Sequence, residues 1–127
     1  MPKESEKKTY KGSCHCQAMQ FEIESDFSEL TTCDCSICWK KNALMVKVHE
    51  TEMRILCGEE SLTTYQFYSH TAKHYFCKVC GIHTHNRPRS NPKIYGINIA
   101  CVEGVNPFEL DNVSLNDGYN HPLDQKK

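Results

Sequence analysis

An all-β domain with few or no helices, held together by zinc, is the architecture this sequence predicts, and three observations predict it. Apolar residues recur with a period of two in short runs, Met19, Phe21 and Ile23 being the clearest, while no stretch carries an amphipathic helical pattern. β-Branched and aromatic side chains gather in other short runs, as at Thr63, Tyr65, Phe67 and Tyr68. The nine cysteines fall largely into Cys-x-Cys and Cys-x-x-Cys groups, a spacing that serves metal ions better than packing.

Met1–Lys8 is charged and reads as a solvated tail. Tyr10–Cys16 follows, with Gly12 ahead of the close thiol pair Cys14 and Cys16. Gln17–Ser25 alternates and is predicted as a half-buried strand. Asp26–Thr32 is polar and turn-forming, and leads into Cys33-Asp34-Cys35-Ser36-Ile37-Cys38, three thiols within six residues. Ala43–His49, Met53–Cys57, Leu62–Tyr68 and Ile94–Ala100 are further strand candidates, the middle two separated by Gly58-Glu59-Glu60-Ser61. Between them, Lys73–Phe76 delivers the knuckle Cys77-Lys78-Val79-Cys80-Gly81. There the glycine permits a tight turn that aims backbone N–H groups at sulfur. Ile82–Arg89 is polar enough to read as a loop or a sheet edge. Val105–Lys127 has no sustained periodicity.

Composition bounds the function classes. At 127 residues the chain has the length of one domain. Its formal net charge of -1, with acidic and basic residues interspersed, gives no basic patch, so no nucleic-acid partner is expected. The N-terminus lacks an apolar segment of signal-peptide type, and no apolar run approaches the roughly 20 residues of a membrane span. No membrane association is expected, and the close thiol pairs favour a reduced, cytoplasmic metalloprotein over a secreted disulfide framework.

Cys14, Cys16, Cys77 and Cys80 make two paired half-sites, the signature of a closed structural zinc site; four thiolates also suit iron. If they share one ion, it closes a long loop and its binding becomes part of the folding free energy. Cys33, Cys35 and Cys38 form a second cluster with no fourth ligand nearby. Three ligands and an open position are the pattern of a catalytic zinc. Such a site is soft enough to take a substrate thiolate, and its formal charge of about -1 favours thiol delivery over hydrolysis. Cys57 and Cys101 read as small core residues.

The segments Gly12-Ser13-Cys14-His15-Cys16, Cys33-Asp34-Cys35-Ser36-Ile37-Cys38 and Phe76-Cys77-Lys78-Val79-Cys80-Gly81 resemble the three cysteine motifs of the glutathione-dependent formaldehyde-activating enzyme (GFA) family, which also contains centromere protein V-like domains. Asp117-Gly118-Tyr119-Asn120-His121-Pro122 resembles its C-terminal signature. The resemblance implies a conical Mss4-like β fold over residues 9–122, with tails at 1–8 and 123–127. It implies a structural zinc on Cys14, Cys16, Cys77 and Cys80, and a second, labile zinc on the catalytic Cys33, Cys35 and Cys38. The activity it implies is that of a carbon–sulfur lyase on S-hydroxymethylglutathione, with glutathione or a similar small thiol as partner.

No histidine spacing singles out a proton-transfer group. His15, His74, His83, His85 and His121 each read first as surface or hydrogen-bonded residues. Arg87 and Arg89 suit a substrate carboxylate but read first as a solvated loop. Trp39 is placed either to wall the open site or to pack. Two further readings stand beside the lyase: a non-catalytic zinc-stabilised binding module, and a redox or metal-buffering role for closely spaced thiols.

Overall fold

The computed structural model describes residues 7–28, 30–33, 36–66, 71–88, 91, 93–106 and 114–116, of which 33, 36, 38, 39 and 114–116 are described by backbone alone. The architecture is β-rich, and the longest helix among the described residues has six residues. The strands are β1 (Lys8–Ser13), β2 (Gln20–Ser25), β3 (Leu30–Cys33), β4 (Met45–His49), β5 (Met53–Cys57), β6 (Leu62–Tyr65), β7 (Lys73–Cys77), β8 (His83–Arg87), β9 (Ile94–Asn98) and β10 (Ser114–Asn116), with helix α1 (Ser36–Lys41) between β3 and β4.

They form two sheets, one of three strands in the order β1-β2-β5 and one of seven in the order β10-β3-β4-β9-β8-β7-β6. Pairing is antiparallel throughout except between β10 and β3. Both sheets contribute to one core. Met19, Phe21, Ile23 and Met53 come from the small sheet and its turn, and Val46, Val48, Ile97 and Ile99 from the large one and the turn that follows β9. The alternation read at Met19, Phe21 and Ile23 is this core face; all three are fully buried, and Glu22 and Glu24 face outward to Arg54 of β5.

Elements with an apolar period or with β-branched and aromatic residues were legible, and β1, β3 and β8 were not. β1 (Lys-Thr-Tyr-Lys-Gly-Ser) has no alternation of apolar residues, because it is the edge of the small sheet and buries chiefly Gly12. β3 takes up part of the stretch expected as a turn. The largest correction is β8. Residues expected as a loop or edge form an interior strand between β9 and β7, with His83, Thr84, His85 and Asn86 all buried. Two of its polar side chains meet specific partners. Thr84 Oγ1 and His85 Nδ1 lie 2.8 Å apart, and the His85 ring stacks on Tyr75 and meets Tyr95 edge-on. Cys57 corrects a second expectation, since it is exposed on edge strand β5 rather than packed in the core.

Gly12 joins the small sheet to the segment that follows β9. It bridges Val102, and Glu103 N–H donates to the Lys11 carbonyl at 2.8 Å. A Cβ at Gly12 would lie 2.5 Å from the Phe21 ring and 2.7 Å from the Cys101 carbonyl oxygen. Neither the buried ring nor the backbone can move away cheaply. Gly12→Ala is therefore expected to destabilise the domain by about 1–3 kcal/mol, read as a lower urea midpoint with an unchanged m-value.

Candidate metal centre

The sharp turn after β1 and the turn after β7 bring four thiols together. The sulfurs of Cys14, Cys16, Cys77 and Cys80 all lie within 4.8 Å of one another. Cys14 to Cys16 and Cys16 to Cys77 are each 3.7 Å. That is far beyond a disulfide bond of about 2.05 Å. It matches the edge of about 3.8 Å of a tetrahedron whose corners lie at the zinc–sulfur distance of about 2.3 Å. The donor set and its spacing thus fit one tetrahedral metal ion.

Local backbone geometry prepares both halves. In the knuckle, Gly81 takes φ 81° and its N–H donates to the Cys77 carbonyl at 2.7 Å, closing the turn. That closure points the N–H groups of Val79 and Cys80 at the Cys77 sulfur, at 3.4 and 3.5 Å. On the other side, Met19 N–H donates to the Cys14 sulfur at 3.5 Å, in a turn where Gln17 takes φ 66°. Cys14 and Cys77 are buried, Cys80 is partly covered and Cys16 is exposed, so the cluster has an inner and an outer side.

The electrostatics favour a cation. A backbone N–H at Ile82 draws the Cys80 thiol down to about 6, and one at Cys80 lowers Cys77. At Cys16 the backbone N–H of Ala18 pulls downward, but desolvation and the three neighbouring thiols outweigh it and push the group up to about 11. Four sulfurs this close cannot all ionise unaided, because each thiolate repels the next. A divalent cation removes that conflict and displaces the last protons. Cys101 lies apart. Burial pushes its thiol up to about 12, and its Sγ rests 3.6 Å from the His83 carbonyl, consistent with a core residue.

The second cysteine cluster lies on β3 and α1. Cys33 ends β3 and Cys38 lies within α1, both seen as backbone only; Cys35 is outside the described residues. Trp39 is likewise described by backbone alone, and Arg89 and His121 fall outside the described residues. His15 is exposed. Arg87 pairs with Glu50 at 3.1 Å and Tyr95 Oη at 2.7 Å, and its guanidinium covers the Tyr95 ring. It is therefore committed within the fold. His74 and His83 are buried beside Lys41, the last residue of α1, with Lys41 Nζ 3.3 Å from His74 Nδ1 and 3.1 Å from His83 Nε2. Lys41 drew no attention in the sequence, where only its position three residues after Cys38 distinguishes it.

Residues 9–113 match the family described as glutathione-dependent formaldehyde-activating enzyme. Among solved structures, the chain is similar to a crystal structure of a Rhodobacter sphaeroides protein at 45% identity. The match has a TM-score of 0.79 and covers 84% of this chain and 99% of that one. No helix among the described residues is long and apolar enough to cross a membrane.

The buried histidines make stability depend on pH. Burial, aided by Arg87, lowers His85 to about 3, against about 6.5 in an unfolded chain. Between those values the unfolded chain holds the extra proton. Stability is therefore intact above about 6.5 and falls as pH drops toward 3. His85→Phe keeps a ring between Tyr75 and Tyr95 but cannot titrate, so its stability should fall less steeply than that of the parent over this window. Urea unfolding at stepped pH, with zinc held in excess, measures the difference.

Proposed function

The chain belongs to the glutathione-dependent formaldehyde-activating enzyme family, and on that premise we propose that it is a zinc-dependent carbon–sulfur lyase acting on a thiol adduct of formaldehyde or a related aldehyde, of the S-hydroxymethylglutathione type. The observation that carries the reading is the family match over residues 9–113, which spans all three cysteine motifs. In this proposal Cys14, Cys16, Cys77 and Cys80 hold a structural zinc, and Cys33, Cys35 and Cys38 hold a labile one at the reaction site. The setting is cytoplasmic and reducing, which keeps these thiols free to bind metal.

The two clusters divide the work by coordination number. Four thiolates fill a tetrahedron, so the first site supports folding and leaves no position for substrate. Zinc at the second site would supply an open position and lower the pKa of an incoming thiol. The reaction itself is simple. In the lyase direction the adduct's hydroxyl loses its proton, the carbon–sulfur bond breaks with its electron pair staying on sulfur, and formaldehyde and a thiolate result. The joining direction is the reverse. Cys33, Cys35 and Cys38 orient the sulfur end, and a separate group must handle the proton on oxygen. A non-catalytic binding module is the second reading, supported by the closed four-thiol cluster, which is complete without any substrate.

Metal analysis separates the two. The lyase reading expects two zinc ions per chain, one of them lost on dialysis against glutathione; one zinc throughout, indifferent to thiols, favours the binding module. Cys35→Ser should cut turnover of the glutathione–formaldehyde adduct at least about 100-fold while leaving the far-UV circular dichroism unchanged. Cys77→Ser, which breaks the folding site, should abolish the cooperative thermal transition. Equal unfolding of both variants would remove the division between a structural and a reactive site.

A further inference from the structure

We propose that Lys41 is the proton donor and acceptor for the adduct's oxygen, held in position by His74 and His83; this rests on the lyase reading above. The ammonium lies between two imidazole nitrogens, at 3.3 Å from His74 Nδ1 and 3.1 Å from His83 Nε2. An ammonium only donates, so both facing nitrogens must accept. That places the ring proton of His74 on Nε2 and that of His83 on Nδ1. Both rings come from strands of the large sheet, His74 from β7 and His83 from β8, and both are buried. The lysine is therefore anchored by groups that a rigid sheet fixes.

Its location makes the anchoring relevant to chemistry. Lys41 lies one helical turn beyond Cys38 on α1, a rise of about 4.5 Å along the axis. The other described histidines are placed elsewhere. His85 is stacked among Tyr75, Tyr95 and Thr84, His49 caps the turn at Glu50–Glu52, and His15 is exposed beside the four-thiol cluster. The His83 Nδ1 is buried without a hydrogen-bond partner among the described residues, an arrangement that costs stability. Burial, the Lys41 charge, His74 and His85 together hold His83 down at about 2, so it remains a neutral acceptor for the ammonium. Phe76 meets the His83 ring edge-on.

The step balances without a further reactant. In the joining direction the thiolate's electron pair forms the bond to the carbonyl carbon, the carbonyl π pair moves onto oxygen, and that oxygen takes a proton from the Lys41 ammonium. The proton given up earlier by the thiol restores the ammonium. In the lyase direction the neutral amine takes the hydroxyl proton as the carbon–sulfur bond breaks, and that proton passes to the departing sulfur.

The test uses the full zinc-loaded chain with Lys41→Arg and Lys41→Met, assayed for turnover of the glutathione–formaldehyde adduct across pH, alongside calorimetric titration with glutathione. Both variants should lose about 100-fold or more in kcat, with glutathione affinity within about threefold of the parent and the pH dependence due to Lys41 gone. Arginine should fail because its guanidinium keeps its proton throughout that range. Nitrogen-15 spectra of the parent should show the His83 Nδ1–H and His74 Nε2–H tautomers. Full activity in Lys41→Arg, weakened glutathione binding with unchanged kcat in Lys41→Met, or the opposite tautomers at both rings would each overturn the assignment while leaving the lyase reading intact. No turnover by the parent chain would overturn both.

Discussion

The contact on which the rest of the structure depends is the meeting of the Cys14–Cys16 turn with the Cys77–Cys80 knuckle. Cys16 and Cys77 are 61 residues apart, and their sulfurs lie 3.7 Å from each other. One half-site follows β1 in the three-stranded sheet, and the other follows β7 near the far side of the seven-stranded sheet. A metal ion held there would fasten the two sheets, adding to the shared core and the bridge from Gly12 to Val102. The entropy of closing so long a loop opposes folding, and ligand binding by the folded state offsets it. Without the ion the thiols repel one another as they ionise, so the same residues that stabilise the metal-bound fold strain the empty one.

The large sheet carries polar residues inside. β8 buries two histidines, a threonine and an asparagine in consecutive positions, a composition that a purely hydrophobic core would reject. Three of them have local partners, while the Asn86 Oδ1 has none among the described residues. His85 spends its polarity on Thr84 and its ring on Tyr75 and Tyr95, while His83 is met by the side chain of Lys41 reaching over from α1. Arg87, at the end of the same strand, satisfies Glu50 and Tyr95. The buried polar strand thus links a short helix carrying part of the second cysteine cluster to the sheet interior. A rigid sheet that presents imidazoles to a helical lysine is well suited to hold a proton-transfer group still.

Helix α1 illustrates why such a site escapes linear inspection. Its six residues are too few to display an amphipathic period, and half of the functional meaning of Lys41 resides in histidines 33 and 42 residues away. Lys40 and Lys41 look alike in the chain. Only the contacts of the Lys41 ammonium with His74 of β7 and His83 of β8 distinguish them.

What the sequence determined by itself was the chemistry carried by short spacing and the strands carried by apolar period. The pairs at Cys14 and Cys16 and at Cys77 and Cys80, the glycine turn at Gly81, and the strands around Phe21, Val46, Met53 and Ile97 are all local patterns, written within a few residues. Tertiary structure alone decided what depends on distant partners: that the two cysteine pairs converge, that β8 lies inside the sheet, that Cys57 is exposed while Cys101 is buried, and that Lys41 is clasped by His74 and His83. The physical reason is the same in each case. A spacing of two or three residues is set by backbone geometry that the sequence states directly, whereas the burial of a polar group is set by whichever residue folding brings to its side, and linear order does not name that residue.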